Sequence, residues 1–206
     1  MLDGTMRRLI DPPLSIAGRH LAGMGFTASA VTLIGLALGL SAATAIALGY
    51  PGLALLPLAL GRIADGLDGA VARATNATDF GGYLDITCDF LFYGAIPMAF
   101  VLADPANNGA AGAFLLTSFY FNGATFLGFA ILAEKQHLTT QTRGSKSLYF
   151  TGGLLEGTET ILFFALVCLM PAYFPAFSWV FGSLCFLTAA SRILLARQVF
   201  MKHDRM

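Results

Sequence analysis

The chain has 206 residues, a formal net charge of zero, 56% hydrophobic residues and only 12% charged ones, with a mean hydropathy of +0.71. Soluble domains carry about 25% charged residues, so this composition excludes an ordinary soluble domain and points to an integral membrane protein. Zero net charge argues against a nucleic-acid partner, and the three cysteines, Cys88, Cys168 and Cys185, are isolated in apolar runs with neither a disulfide framework nor a zinc spacing.

The chain opens with "MLDGTMRRLIDPPLSIAGRHLAGMG", which lacks the continuous apolar core of a signal peptide. Leu9, Leu14, Ile16 and Leu21 beside Arg7, Arg8 and Arg19 suit an amphipathic helix over 1–24 lying at the membrane surface. Six apolar stretches then follow, each near the ~20 residues that a span needs: 27–49, 51–74, 80–104, 109–134, 150–171 and 174–199. The expected fold is an all-α integral membrane protein. It is a single membrane-embedded domain over 1–206, with a juxtamembrane helix (1–24) and a six-span bundle within 27–200. Span one is rich in small residues, "GLALGLSAATAIALG", which permit tight helix contact.

Spans two and three carry the charges that need an explanation. At about 100° per residue, Asp65, Asp68, Gly69, Ala72 and Arg73 share one face of span two. Gly81, Asp85 and Asp89 are four apart and share one face of span three. The short turn between them predicts antiparallel neighbours, so four carboxylates converge from two helices. Ionised, they repel one another unless cations are present; some could instead take up protons. A divalent cation, or a pair, is the more economical solution, and an all-oxygen donor set favours Mg²⁺ or Mn²⁺ over zinc. Interhelical ion pairs, Arg62 with Asp65 and Arg73 with Asp79, are the bland alternative; they cannot balance four acids. Small Gly69 and Ala72 leave room for a ligand, and Arg73 can reach an anionic phosphate.

Spans four to six are less specific. Asn122 in span four can bond a neighbouring helix. The long connection 135–149 carries Lys135, Arg143 and Lys146. Span five opens with Glu156 and Glu159, and span six holds Arg192. These six residues form a candidate polar pocket for a second substrate; pairing of Arg192 with one glutamate for packing is the alternative. Basic residues cluster before span one, between spans four and five, and around the end of span six, and are missing from the opposite loops. This asymmetry predicts that both termini, and with them the carboxylate site, lie on the cytoplasmic side of a cell (inner) membrane.

The run "DGLDGAVARATNATDFGGYLDITCD" fits D-x2-D-G-x2-A-R-x7-G-x3-D-x3-D through Asp65, Asp68, Gly69, Ala72, Arg73, Gly81, Asp85 and Asp89. This resembles the signature of the CDP-alcohol phosphotransferases, which build phospholipid head-group linkages in membranes. Six spans and a surface-lying N-terminal helix are also similar to that family. The resemblance implies transfer of a phosphatidyl group from CDP-diacylglycerol to a small alcohol, with release of CMP. It implies metal ligation by Asp65, Asp68, Asp85 and Asp89, with Asp89 also the general base and two ions about 4 Å apart. Asp65, Gly69, Ala72, Arg73, Thr78 and Gly81 would contact the CDP moiety. Many members carry Pro-Asn and then Thr at the start of span one as part of the nucleotide site; here "TASAVT" keeps Thr32 but has Ala28 and Ser29, and Ser29 can still hydrogen-bond, so the resemblance implies that Ser29 and Thr32 join the CDP contacts. A homodimer is a family habit that span one's small residues would serve. A phosphorylated acceptor would use the bases of the second pocket, and a cationic one its glutamates. Two alternatives are a CDP-choline or CDP-ethanolamine donor with diacylglycerol as acceptor and, from another class, a cation transporter with a midplane acidic site.

Overall fold

A computed structural model describes residues 3–135, 155 and 157–203. Every regular element among them is helical: α1 (Asp3–Gly23), α2 (Ala28–Ala47), α3 (Pro51–Ala74), α4 (Asp79–Ala103), α5 (Pro105–Lys135), α6 (Gly157–Leu169), a 3₁₀ turn (Pro171–Tyr173) and α7 (Phe174–His203). Four stretches are long and apolar enough to cross a membrane: α2, α4, α5, and the 3₁₀ turn with α7 as far as Met201. The helix α3 has the length, but any 18-residue stretch of it contains Arg62, Asp65 and Asp68. The described part of the fifth expected span, α6, has 13 residues. The N-terminal stretch is helical and carries Pro12 and Pro13 within it.

The helix boundaries follow local chemistry. Thr27 precedes α2, and its Oγ1 accepts from the Ala30 N–H at 3.2 Å. Thr78 does the same for α4, accepting from Gly81 N–H at 3.0 Å; such caps satisfy orphan first-turn donors. Gly25 and Gly49 end α1 and α2 with φ of 88° and 87°, a region costly for other residues. Asp104 follows α4 and accepts from the Asn107 side chain at 2.7 Å and backbone at 3.1 Å. These bonds hold its carboxyl below the usual range.

Packing places α2 at the centre of the N-terminal half. It lies against both α3 and α4, whereas α3 and α4 are not a closely packed pair. The second and third spans are neighbours, as expected, but not packed backbone to backbone: both lean on α2, and side chains reach across the gap between them. Glycines set this arrangement. A Cβ on Gly61 would stand 3.1 Å from the Gly35 carbonyl oxygen, and one on Gly35 would stand 3.3 Å from that of Gly61. The backbones of α2 and α3 therefore meet with nothing between them. One turn on, a Cβ on Gly39 would come within 2.6 Å of the Phe92 ring of α4. Gly35, Gly39 and Ala42 are thus used within the chain. Below them an aromatic core joins α4, α6 and α7: Phe92 meets Phe164 edge-on at 5.7 Å, Phe100 stacks on Phe174 at 4.6 Å, and Phe163 on Phe181 at 4.4 Å.

The α2–α3 contact makes a stability prediction. Gly61→Leu forces bulk between two backbones and should cost about 1–3 kcal/mol, the usual range for overpacking. Gly52→Leu, on the same helix with nothing within 4 Å of the added Cβ, is the control. Melting in detergent should drop for the first and hold for the second; equal midpoints would mean that the glycine contact is not what seats α3.

Candidate active site between α2, α3 and α4

The helical spacing of the sequence becomes a cluster in space. Asp65 and Asp68 lie one turn apart on α3, Asp85 projects from α4, and one carboxylate oxygen from each lies within 4.8 Å of the other two. Asp68 is buried, while Asp65 and Asp85 are half-buried. Three hard oxygen donors at this separation, from two helices, suit a small divalent cation such as Mg²⁺ or Mn²⁺.

Thr32 of α2 orients the buried member. Its Oγ1 lies 2.6 Å from Asp68 Oδ2 and 3.1 Å from the Ala28 carbonyl oxygen. A hydroxyl has one proton, and the shorter contact to the charged acceptor takes it. This fixes one carboxylate oxygen of Asp68.

Asp89, the fourth acid, is held differently. Arg62 Nη1 donates to Asp89 Oδ1 at 3.0 Å and lies 3.5 Å from Asp65 Oδ1. The guanidinium carbon rests 4.2 Å from the centre of the Phe92 ring, a favourable cation–π placement. Gly39 opens the slot that the ring occupies. A small cavity lies between Thr32, Arg62, Asp65 and Asp89.

The remaining residues fall into three groups. Gly69, Ala72 and Arg73 occupy the C-terminal end of α3, and Arg73 Nη1 would sit 3.3 Å from a Cβ on Gly69, so the guanidinium folds back over the glycine. Arg73 is exposed, and among the described residues it forms no ion pair with Asp79. Gly81 and its cap Thr78 lie at the start of α4, and Ser29 is half-buried in the first turn of α2, one turn before Thr32. In the second candidate pocket, Arg192 is buried. Its Nη1 lies 3.0 Å from the Asn122 carbonyl oxygen, 2.9 Å from Asn122 Oδ1 and 3.0 Å from Thr125 Oγ1. Asn122 thus bonds across from α5 to α7. Glu159 is half-buried in the first turn of α6 and Lys135 is exposed at the end of α5. Arg143, Lys146 and Glu156 lie outside the described residues.

Two links escaped the sequence reading. Thr32 was expected at a nucleotide, and its bond to Asp68 was not foreseen. The Arg62–Asp65 pair was foreseen between helices; the structure places it within α3, three residues apart, and the stronger partner Asp89, on α4, was not foreseen.

Comparison with known proteins fits this geometry. The family described as CDP-alcohol phosphatidyltransferase matches residues 26–190. The chain is 47% identical over 193 residues to "Inner membrane protein YnjF" of Escherichia coli (strain K12), covering 94% of each. It is 41% identical over 87 residues to the archaetidylinositol phosphate synthase of Pyrococcus horikoshii, which is 42% of this chain and 46% of that protein. The fold is similar to that of a Mycobacterium tuberculosis phosphatidylinositol phosphate synthase (PgsA1) solved with CDP-DAG bound. The TM-score is 0.65 at 20% identity, over 89% of this chain and 93% of that one. A second structure of that protein, in complex with manganese and citrate, gives a TM-score of 0.64 at 20% identity over 89% and 88%.

Proposed function

Because the chain belongs to the CDP-alcohol phosphatidyltransferase family, we propose that it transfers a phosphatidyl group from CDP-diacylglycerol to a small hydroxyl acceptor, releasing CMP, with Mg²⁺ or Mn²⁺ required. The observation that carries this reading is the convergence of Asp65, Asp68 and Asp85 within 4.8 Å. Family membership sets the transporter alternative aside.

The roles divide by position. Asp65, Asp68 and Asp85 hold the ion, with Asp68 fixed by Thr32. The chemistry that such an ion supplies is neutralisation of the diphosphate and of the leaving CMP. Asp89, freed from Arg62, accepts the acceptor's hydroxyl proton and is a further metal ligand. The hydroxyl oxygen bonds to the phosphatidyl phosphorus as the bond from that phosphorus to the CMP oxygen breaks, and the electron pair leaves on CMP. Gly69 and Ala72 admit the CDP group without steric conflict, Arg73 pairs with its phosphate, and Thr78, Gly81, Ser29 and Thr32 border it. The protein works in a cell (inner) membrane with six spans, α3 and α6 included. Its termini and active site face the cytoplasm, consistent with the basic residues at one set of loops.

A phosphorylated polyol, of the inositol phosphate type, is the acceptor we favour. Three bases (Lys135, Arg143 and Lys146) precede α6, and buried Arg192 supplies a fourth. An acceptor panel with CDP-diacylglycerol (inositol phosphate, glycerol phosphate, inositol, serine and choline) should give a lipid product with a phosphorylated acceptor. Arg192→Ala should raise that acceptor's KM ~10-fold or more, the scale of a lost charged hydrogen bond, and leave the donor KM alone. A product with choline or serine alone, or a lower melting point with unchanged KM values, would assign Arg192 to packing.

A further inference from the structure

Arg62 stands inside the aspartate cluster as a fixed positive charge. Its Nη1 binds Asp89 at 3.0 Å and approaches Asp65 at 3.5 Å, and Asp65 is also one of the three acids grouped within 4.8 Å. We propose that Arg62 is a tethered cation that competes with a metal ion for Asp89 and Asp65. The site therefore takes one divalent ion readily, at Asp65, Asp68 and Asp85, and a second only when Arg62 gives up Asp89. This positioning role rests on the metal-dependent transferase reading.

The pose has the marks of a displaceable occupant. A guanidinium stays protonated at any working pH, so Arg62 can yield Asp89 only by moving. Phe92 supports it from below, in the slot left by Gly39. Its Nε, however, is buried without a hydrogen-bond partner. An unsatisfied buried donor carries a desolvation cost, so this pose is not the best available to the side chain once a phosphate arrives to accept from it. Charge points the same way. Without Arg62, four carboxylates would draw in two divalent ions; with it, one divalent ion and one guanidinium already offset most of the repulsion.

The test is a Mn²⁺ titration followed by electron paramagnetic resonance, on the purified chain in detergent without donor or acceptor. The wild type should bind one Mn²⁺, with a second at least tenfold weaker. In Arg62→Gln the second ion should tighten at least tenfold. In Arg62→Lys, which keeps the charge and loses the planar fork, it should remain weak. A purely structural Arg62 would lower the melting temperature in both variants and leave the two affinities alone, and that result would overturn the proposal. So would two equal sites in the wild type, a result that needs no variant to fold. A wild type that binds no Mn²⁺ would remove the metal reading itself.

Discussion

Asp68→Asn should abolish turnover while leaving the fold in place. Asn keeps the shape of the side chain and can still accept the hydrogen bond that Thr32 makes to Asp68 at 2.6 Å. What it removes is charge. Unit charges about 4 Å apart interact by about 4 kcal/mol at an effective dielectric constant near 20, and a divalent ion doubles that. If water and relaxation recover half, ~4 kcal/mol remains, about three decades of metal affinity. Mn²⁺ binding and CMP release should fall together, with melting little changed. Near-normal activity would remove Asp68 from the ion's ligands and break the account of the cluster.

Asp89→Asn should separate binding from chemistry. Asp89 lies outside the group of three acids whose oxygens lie within 4.8 Å, and its contact is Arg62 at 3.0 Å. As the proton acceptor it should be worth about 10²–10⁴-fold in rate. The expected result is a kcat loss on that scale with CDP-diacylglycerol binding within a few-fold of wild type. Equal collapse of donor binding would mean that Asp89 serves the ion or the donor rather than the hydroxyl proton.

Much of this site was legible in the sequence because its spacing is helical. Residues three and four apart share a helix face whatever the tertiary fold, so Asp65 with Asp68, and Asp85 with Asp89, could be placed in pairs. The division of labour among the acids was not legible. Whether Asp89 joins its neighbours or pairs with Arg62 depends on the register of α4 against α3. That register is set through α2, by the Gly35–Gly61 backbone contact and the seat of Phe92 against Gly39. No pattern within a single helix encodes such a three-helix fit. Arg192 is similar: Asn122 was expected to bond a neighbouring helix, but that Arg192 is its partner there, together with Thr125, depends on how α5 meets α7. The α3 helix shows the converse: its charges keep it from reading as an apolar span in the structure, and those same charges form the site.

The most direct test of the central claim is CMP release by the purified chain in detergent, with CDP-diacylglycerol and a phosphorylated polyol, with Mn²⁺ or Mg²⁺ and again with chelator. The account predicts CMP only when metal, donor and acceptor are all present. CMP release that is indifferent to chelator, or no release with any acceptor from a folded chain that binds both metal and donor, would contradict it.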